Sequence, residues 1–127
     1  MAQSTYHKGK YRDEALSGPY RCSVVGDFIK DTNDPRKTDA VEIKYWELPA
    51  GPTKHPAKTQ ETVEITLILE GRTGGFIGDR RLILEAGDYV VIKPRTQNNI
   101  VELIHAPTKG LTIKAPSDPK AKKVSRA

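Results

Sequence analysis

Few side chains in this sequence pair reactivity with a pattern that would carry them into an interior. The clearest is Glu64, inside the run TVEITLILE at residues 62–70. Strand alternation puts Val63, Ile65, Leu67 and Leu69 on one face, and Glu64, Thr66 and Ile68 on the other. If the second face looks inward, the carboxylate must meet a cation, a hydrogen-bond donor, water or a ligand, because burying it unpaired is costly. Two readings follow. Glu64 is a ligand-binding or acid/base group, or it closes a structural ion pair with Lys44 or Arg80; a register error of one residue would expose it instead.

The other reactive groups are sparser. His55 sits in the proline-rich loop PAGPTKHPAK, where it is either a ligand contact or an ordinary exposed histidine. His105, beside Pro107, reads as a surface position, and His7 lies in a polar terminal segment with no assigned role. Trp46 shares a strand face with Glu42 and Lys44; it can stack on a ligand, and core packing or a subunit contact is the preferred account. Gln60, Asn98 and Asn99 offer neutral hydrogen bonds, although turn chemistry also explains the asparagine pair. Cys22 is the only cysteine, so neither an intrachain disulfide nor a thiolate zinc cage can form, and it reads as a half-buried strand thiol.

The elements that must position these groups are strands. Residues 38–48 alternate, with Val41, Ile43 and Tyr45 opposite Glu42, Lys44 and Trp46. Residues 21–29 add a strand or a short turn. Gly71, Gly74 and Gly75 punctuate the chain after residue 70, and Gly78-Asp79 reads as a two-residue hairpin turn leading to a strand at 80–84. The Gly87-Asp88 turn feeds YVVIK at 89–93. Strands at 100–104 and 111–114 follow, separated by Ala-Pro-Thr-Lys-Gly. Short strands at this spacing predict a sandwich or closed barrel, and no long amphipathic helix is expected.

Composition sets the outer limits. A chain of 127 residues fits one domain. The net charge of +5 divides into +3 for residues 1–12 and +3 for residues 116–127, which leaves −1 for the middle. The basic residues therefore belong to terminal segments, not to a folded groove, and nucleic-acid binding is not expected. The division read from this is a flexible basic segment at 1–20, a barrel at 21–116 and a flexible basic tail at 117–127. No apolar run reaches the length of a signal peptide or membrane span, so a cytoplasmic protein without membrane contact is expected.

Two stretches narrow the architecture. The segment 49–71, in which a Pro-Gly loop leads to Glu64 and then, seven positions on, Gly71, resembles the first cupin motif. GDYVVIKP at 87–94 resembles the second. The resemblance covers roughly residues 39–116 and implies a single-domain, all-β double-stranded β-helix, the cupin jelly-roll barrel. Metal-binding cupins carry histidines before the glutamate and after the proline of these motifs. The corresponding places here hold Lys58 with Gln60, or Ala57 with Thr59, and Asn99. Amides, hydroxyls and an ammonium replace imidazole poorly as ligands, so no metal and no cofactor are expected.

The string GDFIKDTNDPRKTDAVEIKYW at 26–46 is similar to the entry segment of a group of small bacterial cupin proteins, some labelled signal peptidase. Neither an apolar anchor nor a paired serine and lysine base is recognisable here to support that activity. The resemblance implies a barrel that binds an unknown small polar molecule, with Glu64, Gln60, Asn99, His55 and Trp46 as its site and no assignable catalytic residue. The alternatives are a cupin enzyme, either a metal-free isomerase or epimerase or a degenerate metal-dependent one, and a dimeric scaffold with a filled barrel. A homodimer is expected by the same resemblance, with TVEITLILE apolar on both faces.

Overall fold

A computed structural model describes residues 6–20 and 22–118, together with the backbone of Lys122–Val124. In chain order its elements are α1 (Tyr11–Ser17), β1 (Ser23–Val25), β2 (Glu42–Leu48), β3 (Gly51–Pro52), β4 (Lys58–Gln60), β5 (Val63–Ile77), β6 (Arg80–Glu85), β7 (Tyr89–Ile92), β8 (Asn98–Ala115) and β9 (Lys122–Val124). All strand pairs are antiparallel.

Two long strands organise the rest. β5 and β8 pair along their whole length, from Val63 opposite Ala115 to Ile77 opposite Asn98. The first half of β5 takes β7 on its other edge, with Glu64 opposite Ile92, and the second half takes β6, with Ile77 opposite Arg80. In the same way β8 gives its C-terminal half to β2, and its N-terminal half to β3 and β4. The pairing shifts register between Ile68 and Phe76, and bulges of this kind bend strands and tighten their twist. One ribbon therefore turns from one sheet into another, and the two sheets enclose a double-stranded β-helix.

The bulges change how the glycines read. Gly71, Gly74 and Gly75 do not end a strand as their spacing suggested; they lie inside β5, and Ala106 to Gly110 lies inside β8 where a loop was expected. Gly71 has φ of 91°, and a Cβ there would run into Pro107 O and the backbone of Thr108. Only glycine lets the two strands approach so closely. The Gly78-Asp79 hairpin forms as its sequence predicts, with φ of 59° at Gly78.

Two apolar clusters hold the barrel. Ile68, Leu84, Ile92 and Ile100 form one, with Trp46, Ile77 and Val101 packed against it. The other joins Ala15 of α1 to Val24 and Tyr45, with Ile43 and Leu111 at its edge. The docked helix corrects the expectation of a flexible segment over residues 1–20. Ala15 is 1% exposed, Tyr11 packs edge-on against Tyr45, Arg36 binds Glu14 at 2.9 Å and Arg12 binds Glu47 at 2.6 Å. A seven-residue helix with one buried side chain leaves no 3.6-residue periodicity to detect. At the other end the backbone of β9 pairs with β4, inside the tail expected to be flexible. Residues 1–5, 119–121 and 125–127 of those terminal segments lie outside the described residues.

Candidate functional site

Register determines which charges meet inside the barrel. Lys114 of β8 stands opposite Glu42 of β2 on one side and opposite Glu64 of β5 on the other, so the inner face carries a row Glu42, Lys114, Glu64. The next inward row is Lys44, Thr112, Thr66. Directly opposed side chains in antiparallel strands are close neighbours. These residues are deeply withdrawn from solvent: Glu64 is 2% exposed, Lys114 7% and Glu42 9%. The inward orientation of Glu64 is the one its alternation predicts.

The carboxylates are claimed by other lysines. Lys58 Nζ lies 2.7 Å from Glu64 Oε1, and Gln60 Nε2 donates to the same oxygen at 2.5 Å. Lys44 Nζ lies 3.5 Å from Glu42 Oε2, which also accepts from Ser23 Oγ at 3.3 Å. Lys114 has no hydrogen bond or ion pair of its own among the described residues. The partner of Glu64 is thus neither of the two expected. Lys44 is held on Glu42, Arg80 is exposed at the hairpin, and Lys58 reaches Glu64 from β4, which immediately precedes β5 in the chain and, like β5, pairs with β8.

These groups border a cavity of about 240 Å³, at the small end for ligand pockets. Lys44, Lys58, Lys114, Glu64, Thr66 and Thr112 form its polar wall, while Trp46, Leu48, Pro56, Ile100 and Val101 form an apolar one. Trp46 Nε1 donates to Thr112 Oγ1 at 3.0 Å, which fixes the indole against the wall. Burial pushes the Lys114 amine down to about 7, helped by repulsion from Lys44 and Lys58 and opposed by Glu64 and Glu42.

The residues singled out from sequence fall into different roles. Glu64 and Trp46 line the cavity with their side chains engaged, and Gln60 stands behind Glu64 and orients it. Asn99 also lines the cavity, but its Nδ2 donates to His55 O at 2.8 Å and its Oδ1 accepts from Val101 N at 3.2 Å. His55 is exposed, and its hydrogen bond to Asn99 comes from its carbonyl. Asn98 Nδ2 donates to Thr96 O at 2.9 Å, the local turn bond that its sequence context suggested. Lys114 and Thr112 are the residues that sequence reasoning missed, and Lys44 entered it only as a possible partner of Glu64. The alternation of LTIK at 111–114 does place Thr112 and Lys114 on one face, but a lysine in an alternating strand ordinarily marks the solvent side.

A transition metal of the kind cupin motifs imply does not fit this donor set. An ammonium has no lone pair to give, Asn99 is committed to backbone, and the Glu64 oxygen nearest the motif is already bound by two donors. Among the described residues no three His, Cys, Asp or Glu side chains cluster as ligands would.

Two outcomes test this electrostatic account. Lys58→Met should lower stability by about 3 kcal/mol in urea titrations, because it leaves a buried carboxylate unpaired, and the double variant with Glu64→Gln should recover most of that loss. Wild type should gain stability relative to Lys114→Met as pH rises from about 7 to about 10.5, since the unfolded chain then holds a proton that the folded chain has released. The slope of the difference should approach about 1.4 kcal/mol per pH unit and vanish below the window.

No family model matches the chain, and no curated protein matches it. Solved structures do. A cupin family protein with a double-stranded β-helix fold from Methanocaldococcus jannaschii superposes with a TM-score of 0.57 at 20% identity, covering 63% of this chain and 73% of that one. A protein with a double-stranded β-helix domain from Klebsiella pneumoniae gives 0.61 at 15% identity, covering 71% and 78%. Oxalate decarboxylase from Bacillus subtilis gives 0.59 at 13% identity over 68% of this chain, which spans only 24% of that longer enzyme. The described strands and these likenesses agree: the chain folds as a cupin-type double-stranded β-helix.

Proposed function

We propose that the protein binds a small anionic molecule in the barrel interior, without a transition metal. One observation carries this reading: Lys114 is a buried lysine bordering the cavity while both neighbouring carboxylates are held by other lysines. A buried ammonium without a counter-charge is costly, so the vacant partner position favours an anion. The lysines Lys44 and Lys58 keep further donors after their ion pairs, because each ammonium has three. The apolar wall of Trp46, Leu48 and Ile100 suits the carbon skeleton of the same molecule. No helix among the described residues is long and apolar enough to cross a membrane.

A second feature supports self-association. On the outer face, Ile43, Ile113, Ile65 and Val91 lie in one row across four strands, and Tyr45, Leu111, Leu67 and Tyr89 lie in the next. Helix α1 covers the Tyr45 end, while Val91 is 46% and Tyr89 68% exposed. An apolar sheet face of this extent favours a second copy as its cover.

In thermal-shift measurements, malonate and inorganic phosphate should be compared with glucose. At least one anion should raise the Tm by several degrees at saturation, as tight binding to the native state alone requires. The shift should disappear in Lys114→Met, and stabilisation by glucose with indifference to both anions would overturn the ligand class. Sedimentation velocity should show a dimer at micromolar concentration that Val91→Lys converts to monomer; a monomeric wild type would reject the association.

A further inference from the structure

Lys114 differs from its two neighbours in more than its missing partner. Lys44 and Lys58 each lie within 3.5 Å of a carboxylate oxygen and form an ion pair with it. Lys114 extends from the middle of an inner row into the cavity that those two lysines also border. A buried amine without an acceptor among the described residues, bordering a cavity with two ion-paired cations, is arranged as a nucleophile next to an anion receptor.

We propose that Lys114 captures a small 2-oxo acid as an imine, with the carboxylate of that acid held by Lys44 and Lys58. The proposal rests on the anion-binding reading above and names the class of anion. The free Nζ lone pair adds to the ketone or aldehyde carbon, and the carbonyl π electrons move to oxygen. That oxygen takes a proton from a neighbouring ammonium, Lys44 or Lys58, and the adduct is a carbinolamine. One of the two protons on nitrogen returns to that lysine, and the other passes to the hydroxyl as the C–O bond breaks, so the oxygen leaves as water and a C=N bond joins Lys114 to the ligand. The balance is one amine and one carbonyl giving one imine and one water, with no oxidant or reductant.

Each surrounding group has a part. Glu42 and Glu64 flank Lys114 from β2 and β5, and their charges favour its ammonium form, but each is occupied by its own lysine. Lys44 and Lys58 repel the ammonium, and burial opposes it further, so a large share of the amine is neutral near pH 7. Lys30, Lys54 and Lys93 are exposed to solvent and provide the comparison. A 2-oxo acid suits the pocket because its carboxylate and its electrophilic carbon are adjacent, matching a site where paired ammonium groups and a free amine share one wall.

The experiment uses the full chain with glyoxylate and sodium cyanoborohydride at pH 7, followed by peptide mass mapping. Lys114 should gain the mass of one carboxymethyl group at least about ten times faster than the exposed Lys30, Lys54 or Lys93, because an amine needs a free lone pair to add to the carbonyl. Malonate, which carries no electrophilic carbonyl of this kind, should slow the labelling by competition. Equal labelling of Lys114 and the exposed lysines would overturn the proposal whatever the behaviour of any variant. Thermal shift without reductant separates the two claims. Stabilisation by glyoxylate with no preferential labelling would defeat the imine and leave anion binding standing, whereas the absence of both stabilisation and labelling would defeat both.

Discussion

Three lysines share two carboxylates inside one small barrel, and this imbalance governs the chemistry of the interior. Charges are withdrawn from water only when something compensates them. Lys58 with Glu64 and Lys44 with Glu42 satisfy that condition, with Gln60 and Ser23 adding donors to the same carboxylates. Lys114 does not, and its proton becomes loosely held as a result. The excess is local: residues outside the terminal segments carry slightly more acid than base, so the positive interior is a product of folding and not of composition.

The topology creates this arrangement. Glu64 and Lys114 are distant in sequence and meet because β5 and β8 pair from end to end. That pairing survives the change from one sheet to the other only through the bulges around Gly71 and Pro107, where a side chain on Gly71 would force the strands apart. β4 then brings Lys58 alongside, and β2 closes the other flank with Glu42 and Lys44. Four separate segments thus deliver one charged cluster. Outside the barrel, α1 covers part of the apolar outer face through Ala15 and Tyr45, which separates a shielded region from the exposed rows around Val91.

Much of this was legible in the sequence, for reasons that can be named. Two-residue alternation fixed the face of Glu64, and the Gly-Asp dipeptide at 78–79 marked a hairpin that formed. The motif spacing placed Lys58 with Gln60, or Ala57 with Thr59, and Asn99 at histidine positions. What stayed hidden depended on long-range pairing. Glycines and a proline read as breaks because local rules cannot see a partner strand that uses them for close approach. Lys114 was not singled out because nothing local distinguishes an inward lysine from an outward one. Asn99 suggested a pocket hydrogen bond, and its amide instead ties the loop carbonyl of His55 to the barrel. Helix α1 was missed because one buried residue carries too little pattern.

Replacing imidazole by ammonium and amide changes the sense of the hydrogen bonds in the pocket. Histidine nitrogens and a carboxylate are lone-pair donors; they concentrate negative potential and call for a cation. Lys58 supplies that cation covalently, 2.7 Å from the carboxylate, and so removes the need for a metal at Glu64 while adding proton donors to the wall. Lys44 repeats the arrangement on Glu42. Once both carboxylates are paired from within the chain, the groups left facing the cavity include the spare donors of three lysines, which is the basis for proposing an acceptor as its partner. In the anion-binding reading proposed above, the same substitution that removes a coordination site puts an anion site in its place, and the amine of Lys114 is the group of that site proposed to form a bond.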